Sequence, residues 1–396
     1  MKRSSNRGVA TALLTTVVVV AGLVGLSAVG RAEEKSSPSF WDKTKVSGQM
    51  NGSYNWNFNN PPVGAAAATA PVAGTANIPT FPTANNMTRV FDYKNNSFTL
   101  NLIDFVVENA PNDWSKFRFD LNLGSDVAVV DSTKGGVIGT DEIALQQAYA
   151  ELTAPVGKGI TFKVGHFVTL LGYEVIESAS NWNTSRSMLF GFAIPFTHTG
   201  VLATYPFSDK VSGTLGVVNG WDLVADNNKG KSIIGQLTYK ATDTLNMSIQ
   251  GIWGPEQAAL NGNYRTILDY VATWTPQENF SLGLNYDFGK EPATVGADGI
   301  VNWQGGAVYA HFKPFDFLGA TLRAELFQDD GSRIAAVGAK ATYAEGTGTL
   351  HFYMGDGWET RFELRHDWAN ASIFTRSTGA TRRFQDTASA ELVYAF

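Results

Sequence analysis

From Val46 to Phe58 the chain alternates strictly. Val46, Gly48, Met50, Gly52, Tyr54, Trp56 and Phe58 take one parity, and Ser47, Gln49, Asn51, Ser53, Asn55 and Asn57 take the other. A helix scrambles a period of two around its circumference, whereas a strand keeps it, one parity to each face. The texture recurs in Phe117/Phe119/Leu121/Leu123 around Arg118/Asp120/Asn122, and in Ile160/Phe162/Val164 around Thr161/Lys163. It continues in Leu245/Met247/Ile249/Trp253 and Phe280/Leu282/Leu284/Tyr286/Phe288. Alternation alone also suits a soluble sandwich. Length separates the two readings: a tilted strand needs roughly 9–11 residues to cross a bilayer, while soluble strands average about 5–6. Most of the alternating segments here run to ten residues or more.

Sixteen such segments start near residues 43, 97, 115, 142, 159, 198, 210, 231, 243, 264, 278, 301, 316, 344, 358 and 386. Tight connections such as Ala110-Pro111-Asn112-Asp113, Pro276-Gln277 and Met354-Gly355-Asp356-Gly357 alternate with long ones near 59–96, 126–141, 169–197, 220–230, 254–263, 289–300, 329–343 and 369–385. An even number of strands with alternating turns and loops predicts an all-β fold, a transmembrane antiparallel β-barrel of about 16 strands with periplasmic turns and external loops. Between Phe98 and Asn109 the apolar parity switches near Leu102-Ile103, which requires a bulge or a different register. Aromatics fall at both ends of the segments: Trp56, Phe58, Trp253, Phe288 and Trp303 toward the loops, and Trp114, Tyr205, Tyr239, Trp274, Tyr394 and Phe396 toward the turns. Two girdles at headgroup depth account for this, as does the plain frequency of aromatics in strands.

Met1 to Ala32 has the form of an export signal. Lys2, Arg3 and Arg7 precede an apolar stretch centred on Val17-Val18-Val19-Val20, and Gly30-Arg31-Ala32 ends it with small residues. The stretch is long enough for the competing reading, an uncleaved anchor. The expected division is therefore a signal over 1–32 and a single barrel over 33–396, bound for the bacterial outer membrane with a cleaved signal. Without Lys2, Arg3, Arg7 and Arg31 the balance is 26 basic against 36 acidic residues, a formal −10, which excludes nucleic acid as a partner because phosphate binding needs a basic face. The absence of Cys removes disulfides, thiolate metal sites and Cys nucleophiles together. None of the five histidines has an H-x-x-E-H or H-E-x-x-H neighbour, and no G-x-S-x-G elbow occurs, so no metal, cofactor or catalytic residue is expected. The one enzymatic alternative is an outer-membrane lipase using His198 beside Ser185 and Ser187.

Ala388, Ala390, Leu392, Tyr394 and the terminal Phe396 share one parity. A last strand ending in aromatic-x-Phe resembles the signature by which the barrel assembly machinery recognises outer-membrane barrels. The stretch Gly165-His166-Phe167-Val168-Thr169-Leu170-Leu171-Gly172-Tyr173-Glu174-Val175-Ile176-Glu177 leads through Asn183-Thr184-Ser185-Arg186-Ser187 to Pro195-Phe196-Thr197-His198-Thr199-Gly200. It resembles the pattern of the OmpL-like β-barrel porins, also called β-barrel porin-2. Gln146-Gln147-Ala148-Tyr149, Asn219-Gly220-Trp221-Asp222 and Arg361-Phe362-Glu363-Leu364-Arg365-His366-Asp367 agree. The resemblance implies a porin among outer-membrane lipids, passing small hydrophilic solutes and ions. It names no particular solute and leaves a homotrimer open.

That motif occupies the third long loop, 169–197, which is long enough to fold into the lumen. Glu174, Glu177 and Arg186 are its candidate constriction residues. Strand parity turns Arg118, Asp120, Lys163, Arg323, Glu325, Arg361, Glu363, Arg365 and Asp367 toward the same space as a lumen wall. A field between loop and wall would set ion preference. Pairing between neighbouring strands is the plainer reading of the wall charges. The Ala/Pro-rich insert Pro61 to Pro82, within the 59–96 loop, reads as an external segment, because its prolines exclude a spanning strand. A structural or adhesive barrel plugged by its own loops remains the alternative to a channel.

Overall fold

The computed structural model describes residues 40–62, 86–130, 139–140, 143–293, 299–334 and 340–396. The proposed signal and most of the Pro61–Pro82 insert lie outside them. The chain divides into two units, Met1–Lys43 and Thr44–Phe396; the described part of the first is a 3₁₀ turn, Phe40–Lys43. The second is a sheet of sixteen spanning strands. They are β1 (Thr44–Asn57), β2 (Ser97–Asn112), β3 (Ser115–Leu123), β4 (Ile143–Ala154), β5 (Ile160–Val168), β6 (Thr197–Pro206), β7 (Val211–Val218) and β8 (Ser232–Lys240). The second half comprises β9 (Leu245–Pro255), β10 (Tyr264–Gln277), β11 (Phe280–Pro292), β12 (Ile300–Phe315), β13 (Leu318–Asp329), β14 (Ala341–Gly355), β15 (Trp358–Ala369) and β16 (Phe384–Ala395).

Every strand pairs antiparallel with its chain neighbours. β1 closes the ring by pairing with both β2 and β16, so that Gln49 stands opposite Asp104 on one side and Ala395 on the other. Closure leaves no free sheet edge, the condition for strands in lipid. Among the described residues no helix is long and apolar enough to cross a membrane.

Exposure identifies the two faces. Along β13, Leu322 and Leu326 are 66% and 52% exposed, while Arg323 and Glu325 between them are 2% and 5% exposed. In a closed ring the exposed apolar parity is the outer wall, and the withdrawn polar parity is the inner one. The parity switch in β2 is a bulge: Asn51 pairs with Leu102 and Gly52 with Leu100, which leaves Asn101 unpaired. Phe98 and Leu100 before it, and Phe105 after it, thereby all face outward.

The turns follow local chemistry. Gly355 pairs with Trp358, and the two residues between them, Asp356 and Gly357, have φ of 50° and 82°, the conformation a two-residue I′ hairpin requires. At Gly357 a Cβ would stand 1.9 Å from the Ala395 carbonyl oxygen, so only glycine fits. One girdle assignment is corrected. Trp303 has the inward parity of β12, is 1% exposed, and lies against Gly289, whose missing side chain makes room for its indole. The other loop-end and turn-end aromatics include the exposed Phe58, Trp253, Trp114, Tyr239, Trp274 and Phe396.

Candidate permeation site

A band of charge runs across the inner faces of β13 to β16. Arg323 Nε reaches Glu345 Oε1 at 2.5 Å, Arg365 pairs with Asp367 at 2.8 Å and lies 3.7 Å from Glu345, and Arg361 pairs with Glu359 at 2.8 Å and Glu391 at 3.5 Å. These arginine–carboxylate pairs offset a burial that costs an unpartnered charge several kcal/mol, while Glu325, Glu345 and Asp367 stand opposite one another across β13, β14 and β15. Arg89, from the first loop, joins the band through Asp367 at 2.6 Å and Asp92.

The segment 169–196 is bound to this inner face through its own backbone. Glu363 accepts from the N–H groups of Thr184 and Ser185 at 2.8 and 3.0 Å, and Glu325 from those of Met188 and Leu189 at 2.7 and 2.6 Å. Successive amides converging on a carboxylate form an anion-binding nest. Asp269 accepts from Gly172 N–H, Asn285 Oδ1 from Tyr173 N–H at 3.3 Å, Glu391 from Ser178 Oγ at 2.6 Å, and Gln49 Oε1 from Ala179 N–H at 2.8 Å. One segment therefore touches β1, β10, β11, β13, β15 and β16.

Of the three candidate loop residues, two are withdrawn from solvent. Glu174 pairs with Arg323 at 2.7 Å, and its other oxygen accepts from Ser187 N–H and Oγ, both at 2.7 Å. Arg186 donates to the carbonyls of Val175, Ile176 and Thr184 and stacks over Phe91 at 5.2 Å. Glu177 is partly exposed and accepts from Gln146 Nε2.

The C-terminal half of the segment is apolar. Met188, Leu189, Phe190, Phe192, Ile194 and Phe196 are buried together with Phe91, whose ring lies 5.9 Å from Phe190 and 5.8 Å from Phe196. Beside them Arg333 sits between Trp221 and Trp303, 4.6 and 4.9 Å from the ring centres, and donates to the Phe192 carbonyl; Arg265 covers Trp221 at 4.7 Å. Burial lowers the Arg333 guanidinium to about 10, and the neighbouring Arg265 charge adds to this. Asp222 closes the segment by accepting from Phe196 and Thr197 N–H at 2.6 and 2.9 Å. Burial pushes its carboxyl up to about 7 against those two donors.

The remaining wall candidates stand apart. Arg118 lies against Asp120 at 2.8 Å and Glu108 at 3.4 Å, and Lys163 sits 3.3 Å from Glu151 and 4.2 Å from the Tyr149 ring centre. With Glu177, Asp104, Tyr149 and Gln49 they line an open recess of about 400 Å³. Exposure separates them from the band: the side chains of Arg118 and Lys163 are 26% and 28% exposed, those of Arg323, Arg361 and Arg365 at most 2%.

Sequence reasoning missed Arg89, Arg265, Arg333, Glu345 and Glu391. The last two have the inward parity of β14 and β16 and were recoverable from it. Arg89 and Arg333 sit in loops and carried no signal. His198 bonds to Thr169 Oγ1 and the Gly220 carbonyl, whereas Ser185 faces Arg323 and Arg365 and Ser187 faces Glu174, so the lipase grouping is not brought together. Tyr394 stacks on Trp358 at 4.4 Å, and Phe396 exchanges backbone hydrogen bonds with Gly48.

A family model described as "Putative beta-barrel porin-2, OmpL-like" matches residues 43–396. No curated protein sequence matches the chain. Among solved structures, the trimer form of OmpT from Vibrio cholerae aligns with a TM-score of 0.56 at 8% identity, over 89% of this chain and 99% of that one. An anion-selective porin from Comamonas acidovorans gives 0.55 at 10% identity, over 89% and 99%. OprB of Pseudomonas putida gives 0.54 at 12% identity, over 90% and 95%. At such identities the likeness is one of fold.

Proposed function

The chain belongs to the OmpL-like β-barrel porin-2 family, outer-membrane porins, and from that premise we propose a passive channel for small hydrophilic solutes and ions whose open path follows the β2–β5 wall. The observation that carries this reading is the split in exposure. On this reading the third loop lies in the lumen, moored by amide nests to β13 and β15 and reaching β1, β10, β11 and β16 besides, and the β13–β16 charges are consumed by one another and by the loop backbone. Arg118, Lys163 and Glu177 keep accessible surface, so they form the filter. Glu174, Arg186, Arg323, Glu325, Arg361, Glu363, Arg365 and Asp367 act as the mount of the loop, and Asp120 orients Arg118. Opposite signs facing each other in the recess create a transverse field there.

Residues 1–32 act as the export signal, and Tyr394 with Phe396 as the assembly signal. A homotrimer is the assembly that the trimeric OmpT neighbour suggests. Full-length protein in a planar bilayer gives stable conductance steps on this reading. Silent membranes from a barrel shown to be folded by heat-modifiable gel migration favour the second reading, a barrel closed by its own loops. The buried apolar cluster of Phe91, Phe190, Phe192 and Phe196 is the observation on its side.

A further inference from the structure

The recess beside the third loop holds two polar atoms that nothing satisfies. Gln49 and Asp104 stand directly opposite each other on β1 and β2, each 3% exposed. Gln49 spends its oxygen on the Ala179 N–H, but its Nε2 donor has no hydrogen-bond partner among the described residues, and neither does Oδ1 of Asp104. Buried polar groups are paired in the great majority of cases, and a donor and an acceptor left open side by side in a cavity wall call for an occupant with both. Both residues line the same 400 Å³ recess as Arg118, Lys163 and Glu177.

The surrounding charge is of both signs. Asp104 lies within Coulombic reach of Glu177 and Asp120 and also of Arg118, which pairs with Asp120, so anionic and cationic groups meet within the recess. Lys163, over the Tyr149 ring, and Arg118 supply the cationic side, each with partly exposed side chains. A solute carrying only one sign leaves one of these groups facing its like. A small zwitterion answers both: its ammonium meets Asp104 and Glu177, and its carboxylate meets Lys163, Arg118 and the Gln49 amide. We propose that this recess is a binding subsite for small zwitterions of the amino-acid or dipeptide class, loaded on the path assigned above. It deepens that reading and rests on it only for the claim that the occupant passes through.

The test is calorimetric titration of the full chain, folded in detergent, with glycylglycine, N-acetylglycylglycine and glycylglycinamide, which differ only in which end is charged. Glycylglycine binds saturably, and each blocked analogue binds at least tenfold more weakly, the effect of one lost charge-assisted contact. Asp104→Asn, which keeps size and shape, weakens glycylglycine and glycylglycinamide at least tenfold. Lys163→Gln weakens glycylglycine and N-acetylglycylglycine. Gln49→Glu retains the oxygen that Ala179 needs and removes the donor, and it also loses glycylglycine affinity. Equal binding of all three compounds, no saturable heat, or variants that bind like the parent overturn the proposal. A conducting channel with no such binding leaves the porin reading standing without the subsite. Specific binding by a barrel that does not conduct keeps the subsite and removes the channel.

Discussion

Glu174 and Arg323 meet at 2.7 Å although 149 residues separate them, and neither side chain is more than 3% exposed. The pair joins the third loop to β13, and the Arg323 guanidinium also holds Glu345 and the Ser185 carbonyl. It works as a clasp, with its charge turned away from any passing ion.

Breaking the clasp from one side leaves uncompensated buried carboxylates, a cost of about 3–5 kcal/mol. Arg323→Met should therefore loosen the loop: protease nicks between residues 169 and 196 appear, and channel noise rises while the barrel stays heat-modifiable. Combining it with Glu174→Gln should recover part of the loss. Unchanged proteolysis in Arg323→Met would remove the pair from loop anchoring.

Selectivity should respond to the recess. One charge about 5 Å from an ion in a water-like dielectric is worth roughly 0.8 kcal/mol, about a fourfold change in local ion ratio. Glu177→Gln should shift the reversal potential in a salt gradient toward anion preference, and Lys163→Gln toward cations. Glu363→Gln, in the mount, should leave the reversal potential where it is, and a shift equal to that of Glu177→Gln would contradict the assignment.

Arg333 is stacked between two indoles and donates to a loop carbonyl, contacts that a planar guanidinium makes and an ammonium does not. Arg333→Lys should cost about 1–2 kcal/mol locally. Red-shifted tryptophan emission from Trp221 and Trp303 would report it, and an unchanged spectrum would argue that the stack is dispensable.

Asp222 gives the external cluster a pH dependence. Its folded-state value, about 7, lies above the ordinary carboxyl value of about 3.9, so the folded chain retains a proton that the unfolded chain releases. The stability it contributes is full at low pH and is lost as pH rises from about 4 to 7. Asp222→Asn keeps an oxygen for Phe196 and Thr197 and suits the positive φ of 55°. Melting profiles of the variant should decline less across that range; parallel profiles would assign the dependence elsewhere, Asp126 first, whose carboxyl burial also pushes up to about 7.

Deleting Asn101 removes the bulge in β2. The Gly52–Leu100 pair then follows the Asn51–Leu102 pair without a break, so Phe98 and Leu100 keep the outer face, and what is lost is the contacts of the Asn101 amide with Ser53 and Asp126. The expected outcome is a barrel that still migrates as heat-modifiable on a gel, and failure to form one would show that β2 needs the extra residue for its course.

The sixteen strands were legible because the bilayer enforces one rule on every residue of the outer wall, and a rule obeyed so often leaves a period in the sequence. The β2 bulge was legible for the same reason, as the place where the period slips. Inward parity carried no such information about use. Arg118 and Arg365 look alike in the sequence, yet one lines a recess and the other is covered, because what covers Arg365 is a loop whose course depends on residues far away in the chain. Trp303 misled because a Trp at a strand end belongs equally well to a lipid girdle or to a loop-packing cluster, and only Gly289 beside it tells the two apart.

The amide nests on Glu325 and Glu363 carry one more implication. Those carboxylates grip the peptide backbone, which every residue except proline can offer in the same form. The route of the loop is thus written into the wall at residues 184, 185, 188 and 189, whose own side chains are buried, and the exposed positions between the moorings, such as Val175 and Ser180, could carry different side chains along the same course. A segment moored in this way is a mounting rail on which new side chains could be displayed in the pore, by natural drift or by an engineer, without rebuilding the barrel that carries it.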